Sequence, residues 1–201
     1  QALAISEEVH DRTAEADSLV GLGNTYNAVS RYEEAIESYQ RALSIGRELK
    51  YRGVQSNALV VLSNVYDNLS HYEESIQCLE QALVISREGK SRVAEGRILN
   101  NLGNTYSNLG QYQKAIDYYK QALAIKREVQ DRLAEGNTVG SLATAYWVTG
   151  EYQKAIDCYE QALSISREVN DPSGEEAALW GLGDVYNSLD QYEKAIDYDK
   201  Q

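Results

Sequence analysis

Few side chains in this chain of 201 residues are of kinds that do covalent or acid–base chemistry, and their placement argues against all of it. The two histidines, His10 and His71, fall by pattern at a helix end and at a turn. Neither has a neighbouring Cys or His at metal-ligand spacing. Serine is abundant, but no nucleophile, base and orienting group come together in the sequence. Acidic pairs such as Glu33-Glu34 and Glu73-Glu74 open helices, where the macrodipole favours their charged form. The Gly-Leu-Gly stretches at Gly21 and Gly181 lack the downstream glycine and the preceding strand of a nucleotide-binding turn, and are read as packing features. The sequence therefore predicts no catalytic residue, no metal site and no cofactor.

What remains is the chemistry of recognition. Asn24, Asn64 and Asn104 recur at one interval. A carboxamide offers both donor and acceptor, so such a ladder can hold a peptide backbone without reading its side chains. Trp147 and Trp180, the only tryptophans, join a large apolar body to one polar handle, as binding hot spots do. Arg97 is placed to take a partner carboxylate. Each has a plainer reading beside it: solvated asparagines, tryptophans packed between repeats, an arginine paired with a nearby acid. Spacing alone leaves both open.

The elements that must position these residues are set by a repeat. Tyr32, Tyr72, Tyr112, Tyr152 and Tyr192 stand 40 residues apart, and Leu22, Leu62, Leu102, Leu142 and Leu182 keep the same step, as does the Tyr26 column. A fixed period of this size marks a chain built by stacking one supersecondary unit. Within the third unit, Leu99, Leu102 and Tyr106 trace one helical stripe, and Ile116, Tyr119, Leu123 and Ile125 trace a second. Leu109-Gly110-Gln111 supplies the turn between them. The punctuation predicts N-caps at Asp11, Ser91, Asp131 and Asp171, with Pro172 in a first helical turn. Ser30…Glu33 and Ser70…Glu73 have the form of capping boxes. Small residues at Gly23, Ser63, Gly103, Ala143 and Gly183 predict close approach of paired helices, since a helical glycine costs roughly 1 kcal/mol against alanine.

These residues resemble the tetratricopeptide repeat, whose pattern of a large residue, Leu-Gly, Tyr, Ala and an aromatic is met by Leu19, Leu22, Gly23, Tyr26, Ala35 and Tyr39. The resemblance covers the whole chain. It departs in two places: Leu or Val (Leu19, Leu59, Leu99, Val139, Leu179) replaces the usual Trp, and Arg47, Arg87, Arg127 and Arg167 replace the closing Pro, so the second helix continues. The longer unit is similar to the 40-residue repeats of the Leu-Gly-Asn (Pins-like) scaffolds and, more loosely, of kinesin light chains. Arg97, Asn101, Leu102, Gly103 and Asn104 reproduce the Arg-x3-Asn-Leu-Gly-Asn string of the former. The resemblance implies a concave face that binds extended peptides. The chaperone-binding members clamp a carboxylate with Lys in the Val20 column, which has no cation here.

The expected fold is an all-α, right-handed superhelical solenoid of helix–turn–helix hairpins filling residues 1–201 as one array. Residues 1–10 would end a preceding helix, repeats would span 11–50, 51–90, 91–130 and 131–170, and 171–201 would be partial. At about 100° per residue, the groove face reads Val20, Val60, Asn100, Gly140, Trp180, then Asn24, Asn64, Asn104, Thr144, Asp184, then Asn27, Asp67, Ser107, Trp147, Asn187. These columns vary while the packing columns scarcely do. The expected peptide site comprises Asn24, Asn64, Asn104, Asn100, Asn101, Arg97, Val20, Val60, Asp67, Trp147, Trp180 and Asp184.

Composition bounds the partner. Net charge is −12 and the pI about 4.6, with none of the clustered cations that displace counterions from nucleic acid. A basic or neutral protein or peptide is expected, with no nucleic acid and no membrane. Cys78 and Cys158 sit at equivalent positions two repeats apart, too far to bridge, and free thiols suit a cytoplasmic location. The chain has no Met and opens and closes inside a repeat, so a longer protein is expected. The function read here is a protein-interaction scaffold. Its rivals are end-to-end self-association through apolar ends (Leu3, Ile5, Ile196) and a sensor arm of a larger signalling or effector protein.

Overall fold

Apolar side chains at three- and four-residue intervals put one buried stripe on each helix, and turns with a left-handed residue reverse the chain between them. The computed structural model describes the backbone of residues 2–200 and the side chains of 11–198 and 200. These residues form α1 (Ala2–Ala28), α2 (Tyr32–Glu48), α3 (Arg52–Asn68), α4 (Tyr72–Glu88), α5 (Arg92–Asn108), α6 (Tyr112–Glu128), α7 (Arg132–Val148), α8 (Tyr152–Val169), α9 (Pro172–Ser188) and α10 (Tyr192–Asp199). The all-α, helix–turn–helix reading holds throughout.

The chain divides into two compact units, Gln1–Ala94 and Glu95–Gln201. In the first, α1 pairs with α2 and α3 with α4, while α2 and α1 both pack on α3. In the second, α7 pairs with α8 and α9 with α10; α6 packs on α7, α8 on α9, and α7 on α9. The expected stripes are the core: Leu99, Leu102, Ile116 and Tyr119 are all buried, as are Leu59, Leu62 and Leu79 in the second hairpin and Val139, Leu142, Ile156 and Tyr159 in the fourth.

The turns correct the capping expectation. Ser30 and Ser70 cap nothing; they sit at φ 58° and 59°, as Asp190 does, in the place that Gly110 and Gly150 hold at φ 74° and 78°. The amide of the next residue then bonds back across the helix end, Arg31 N to Tyr26 O at 2.9 Å and Gln111 N to Tyr106 O at 2.8 Å. This is a Schellman closure, which satisfies carbonyls left free at a helix end. Hairpin-to-hairpin turns use the same device at Lys50, Lys90, Gln130 and Asn170. Asp131 does cap, accepting from Ala134 N at 3.1 Å, but Asp171 makes no such bond. Asp11 lies inside α1, which runs unbroken from Ala2; residues 2–10 are therefore continuous with the first repeat rather than the end of a separate helix. Leu22 is 44% exposed, whereas Leu62, Leu102, Leu142 and Leu182 are buried.

The Arg-Glu pairs knit helices together. Arg52 reaches Glu88 at 3.3 Å and Arg132 reaches Glu168 at 2.5 Å, each between the start of a first helix and the end of its second, and Arg12, inside α1, reaches Glu48 at the end of α2 at 2.8 Å. Glu135 is nearly buried and receives both Arg127 (2.7 Å) and Arg132 (2.5 Å). Burial alone would raise its pKa, but the two guanidinium bonds win and hold the carboxyl below its usual range.

Two expectations follow. Replacing Gln130, a non-glycine residue held at φ 58°, with glycine relieves a left-handed conformation that costs an L-residue about 1 kcal/mol; urea melts of Gln130→Gly should show that gain, and Gly110→Ala the matching loss. A depressed carboxyl gives stability that is full above its unfolded pKa of about 4.5 and drains as pH falls through the folded value. Melts between pH 5 and about pH 3 should therefore be less steep for Glu135→Gln than for the parent.

Candidate functional site

The first, third and fourth hairpins each bring a tyrosine of the second helix under the first helix, and the site grows from that contact. Tyr39, Tyr119 and Tyr159 are buried. A Cβ at Gly23 would come within 3 Å of the Tyr39 ring, and one at Gly103 within 3 Å of Tyr119, so glycine lets the ring lie against helix backbone. Gly181 does this for Tyr159, across to the next hairpin, while Gly21 meets nothing within 4 Å. The packing role expected of both Gly-Leu-Gly stretches thus belongs to Gly181 and Gly23, and Gly21 has no part in it.

A buried phenol needs a partner for its hydroxyl. Tyr39 OH donates to Asn24 Oδ1 at 2.7 Å, and Tyr119 OH donates to Asn104 Oδ1 at 2.9 Å. Tyr159 OH meets Thr144 Oγ1 at 2.9 Å. Burial raises all three phenols, Tyr119 to about 12. The asparagine ladder therefore has a structural job that spacing did not show. Each bonded carboxamide is fixed with its oxygen inward, leaving its exposed NH2 as a donor for a partner. Asn64 differs, because the residue fifteen on is Leu79, which has no hydroxyl. Asn64 is exposed and its side chain is unbonded among the described residues.

The other expected residues divide by burial. Val20 and Val60 are core, 6% and 5% exposed, and present nothing to a partner. Asn100 is half-buried and committed: its Oδ1 accepts from Lys126 Nζ at 3.2 Å and from the Thr138 hydroxyl at 2.8 Å. Asn101 is half-buried, its carbonyl taken by Thr105. Arg97 is exposed and makes no ion pair among the described residues, so the local-pairing alternative does not form. Asp184 is exposed and Asp67 half-buried. The tryptophans part company. Trp147 donates from Nε1 to Ser188 Oγ at 3.0 Å, tying α7 to α9, whereas Trp180 is 63% exposed.

Two features of this face escaped the sequence reading. Lys126 is 8% exposed, and its amine is bonded to the neutral side chains Asn100 and Thr138, with no carboxylate in an ion pair. Burial lowers its pKa to about 8, against the opposing pull of Asp131. The second is a cleft of about 380 Å³ between α7, α8 and α9, with Gly140, Thr144 and Ser166 on its lining. The signals were there in the columns: Lys126 stands where other repeats have Gly46, Ser86 and Ser166, and Gly140 stands where they have larger residues.

The two cysteines and the described histidine lie away from this face. Burial lifts the Cys78 thiol to about 11 and raises Cys158, and both are free. His71 stacks on Tyr66 at 6.4 Å. Among the described residues no group of three or more His, Cys, Asp or Glu could hold a metal ion, and no helix is long and apolar enough to cross a membrane. His10, Leu3 and Ile5 lie outside the described side chains.

Paired helices repeating every 40 residues, with buried stripes that recur from hairpin to hairpin, define a helical-hairpin repeat protein of the protein-interaction class. The chain belongs to the tetratricopeptide repeat family, whose model matches residues 1–48, 54–128 and 135–201. No curated protein matches it. Among solved structures it is similar to BtubC (BKLC) from P. vanneervenii, with TM-score 0.84 and 20% identity over 98% of this chain and 86% of that one. It is also similar to the nearly identical TPR-like repeats of a Podospora anserina putative kinesin light chain, with TM-score 0.80, 21% identity, and 94% and 93% covered. A third is the STAND protein with a tetratricopeptide repeat sensor from Pyrococcus horikoshii, with TM-score 0.82 and 19% identity over 92% of this chain and 29% of that one. At these identities the likeness is one of fold.

Lys126 supplies a test of the site's electrostatics. A lysine whose folded pKa of about 8 lies below its ordinary 10.5 penalises the folded state until it loses its proton, so stability rises with pH across that interval. Raising pH from 7 to 9.5 should add about 2 kcal/mol to the unfolding free energy, a gain absent from Lys126→Met in paired urea titrations.

Proposed function

We propose that this chain is a protein-interaction module that holds a peptide segment of a partner on the variable face of its first helices. The observation that carries the reading is the fixed carboxamide donor that each unit presents, Asn24 in the first, where Asn64 is also unbonded, and Asn104 in the second. A carboxamide whose oxygen is already engaged donates to a peptide carbonyl without paying again for orientation. Selectivity comes from exposed Trp180, free Arg97 and the acids Asp17 and Asp184. With a net charge of −12, the partner segment is basic or neutral.

A sensor role within a larger protein accords with the printed description of the Pyrococcus horikoshii neighbour as carrying a tetratricopeptide repeat sensor. There the same face would receive the signal. Self-association is the second reading, favoured by the apolar exposure of Leu22 (44%) and Ile196 (49%).

Asn64 and Trp180 have no structural partner to lose, so they are the clean probes. Asn64→Ala with Trp180→Ala should lower recovery of a specific partner from the source-cell extract at least ten-fold, about 1.4 kcal/mol, with an unchanged melting curve. Undiminished recovery would remove the face from consideration. A solution mass that grows with concentration and falls back in Leu22→Glu would favour self-association instead.

A further inference from the structure

The cleft of about 380 Å³ between α7, α8 and α9 occupies the place that the third repeat fills with side chains. There Asn100, Lys126 and Thr138 close the space with three mutual hydrogen bonds. Forty residues on, the same three positions are Gly140, Ser166 and Ala178, all of which line the cleft. Three simultaneous reductions in size make a built cavity, at the low end of the ~300–1,000 Å³ typical of ligand sites.

Its lining says what enters. Gly140 presents bare helix backbone to open space and Ala162, Ala177 and Ala178 present methyl groups, so this wall suits a flat apolar body, while the Thr144 and Tyr159 hydroxyls on the lining are already bonded to each other. Ser166 is 4% exposed, and its hydroxyl has no hydrogen-bond partner among the described residues, although that of Ser86, its equivalent, donates to Leu83 O at 2.8 Å. Sealing the cleft with a purely apolar group would leave that hydroxyl buried and unsatisfied, at a cost of about 1–3 kcal/mol. A Cβ added at Gly174 would collide with both Ser166 Oγ and the Asp171 carboxylate. That acid at the same end disfavours an anion. No cationic side chain lines the cleft.

We infer that this cleft seats a tyrosine side chain of the bound peptide, ring against the glycine and alanine walls and phenol hydroxyl hydrogen-bonded to Ser166. The inference rests on the peptide-binding reading and gives it a sequence preference. A phenol carries its hydroxyl at the far tip, where a floor hydroxyl meets it end-on, whereas an indole carries its N–H on the flank of the ring. Phenylalanine lacks the tip altogether, and a phosphorylated tyrosine would bring its charge beside Asp171.

The test uses Gly140→Val. A Cβ there meets nothing within 4 Å, and valine is what the first two repeats carry at this position, so the variant should fold while its side chain fills the cleft. A random heptapeptide library displayed on phage is selected on the parent chain and, separately, on Gly140→Val. The expected result is tyrosine enriched at one position on the parent and that enrichment lost on the variant. Changing that tyrosine to phenylalanine in the synthetic peptide should weaken binding about ten-fold, and Ser166→Ala should weaken the tyrosine peptide equally while leaving the phenylalanine peptide unchanged. Peptides that bind both chains alike, or that show no tyrosine preference, overturn the cleft assignment. They leave the wider reading standing if Asn64→Ala with Trp180→Ala still abolishes their binding. Recovery of no peptide above the background of an unrelated helical protein overturns both.

Discussion

The contact on which the hairpins depend is a phenol laid against bare helix backbone, with its hydroxyl tied to the neighbouring residue of the same helix. Tyr39 lies on Gly23 and donates to Asn24; Tyr119 lies on Gly103 and donates to Asn104. The glycine sets how closely the two helices approach, and the asparagine makes the buried hydroxyl tolerable. Neither works alone, since a ring that comes so near without a partner would bury an unsatisfied donor. Where the tyrosine becomes Leu79, Ser63 stands in place of glycine and turns its own hydroxyl to Val60 O at 2.7 Å. There the ring and the glycine change together, while Asn64 remains without a hydroxyl to hold.

This coupling explains which parts of the molecule the sequence made legible. The 40-residue period, the paired stripes and the turn glycines at 110 and 150 all reflect local constraints, each read from spacing or from one residue's conformational range. The serines at 30 and 70 misled because a serine two residues before a helix has two uses, and only the left-handed turn conformation shows which applies. Val20 and Val60 were assigned to the exposed face because angular position along a helix does not say how deep the neighbouring helix reaches. The ladder's second role was invisible for a different reason: Asn24 and Tyr39 lie on different helices, and a fifteen-residue interval carries no helical signal of its own.

Lys126 shows how a single non-repeating residue alters one joint of a repeating structure. An amine bonded only to an amide and a hydroxyl gains orientation but no opposite charge, so its burial is tolerated rather than favourable. The compensation is geometric. Lys126 and Asn100 reach Thr138 on the next hairpin, and the three polar groups satisfy one another across α5, α6 and α7. The Glu135 carboxylate, on the same α7 and also nearly buried, is held by arginines on either side. One helix thus carries a buried anion that is paired and contacts a buried cation that is not. The latter is the weaker element at neutral pH.

The column Val20, Val60, Asn100, Gly140, Trp180 then reads as a series of solutions to one packing problem. Valine fills the inter-helix space with apolar volume. Asparagine fills it by recruiting a lysine and a threonine. Glycine leaves it open, and tryptophan, 63% exposed, turns outward instead of filling it. Because the buried stripes and the Schellman turns already fix the backbone of the hairpins, this column can vary without loss of fold. Stability constrains the packing columns, and the freedom left over falls in this one, where four residue types solve the same packing problem in four ways.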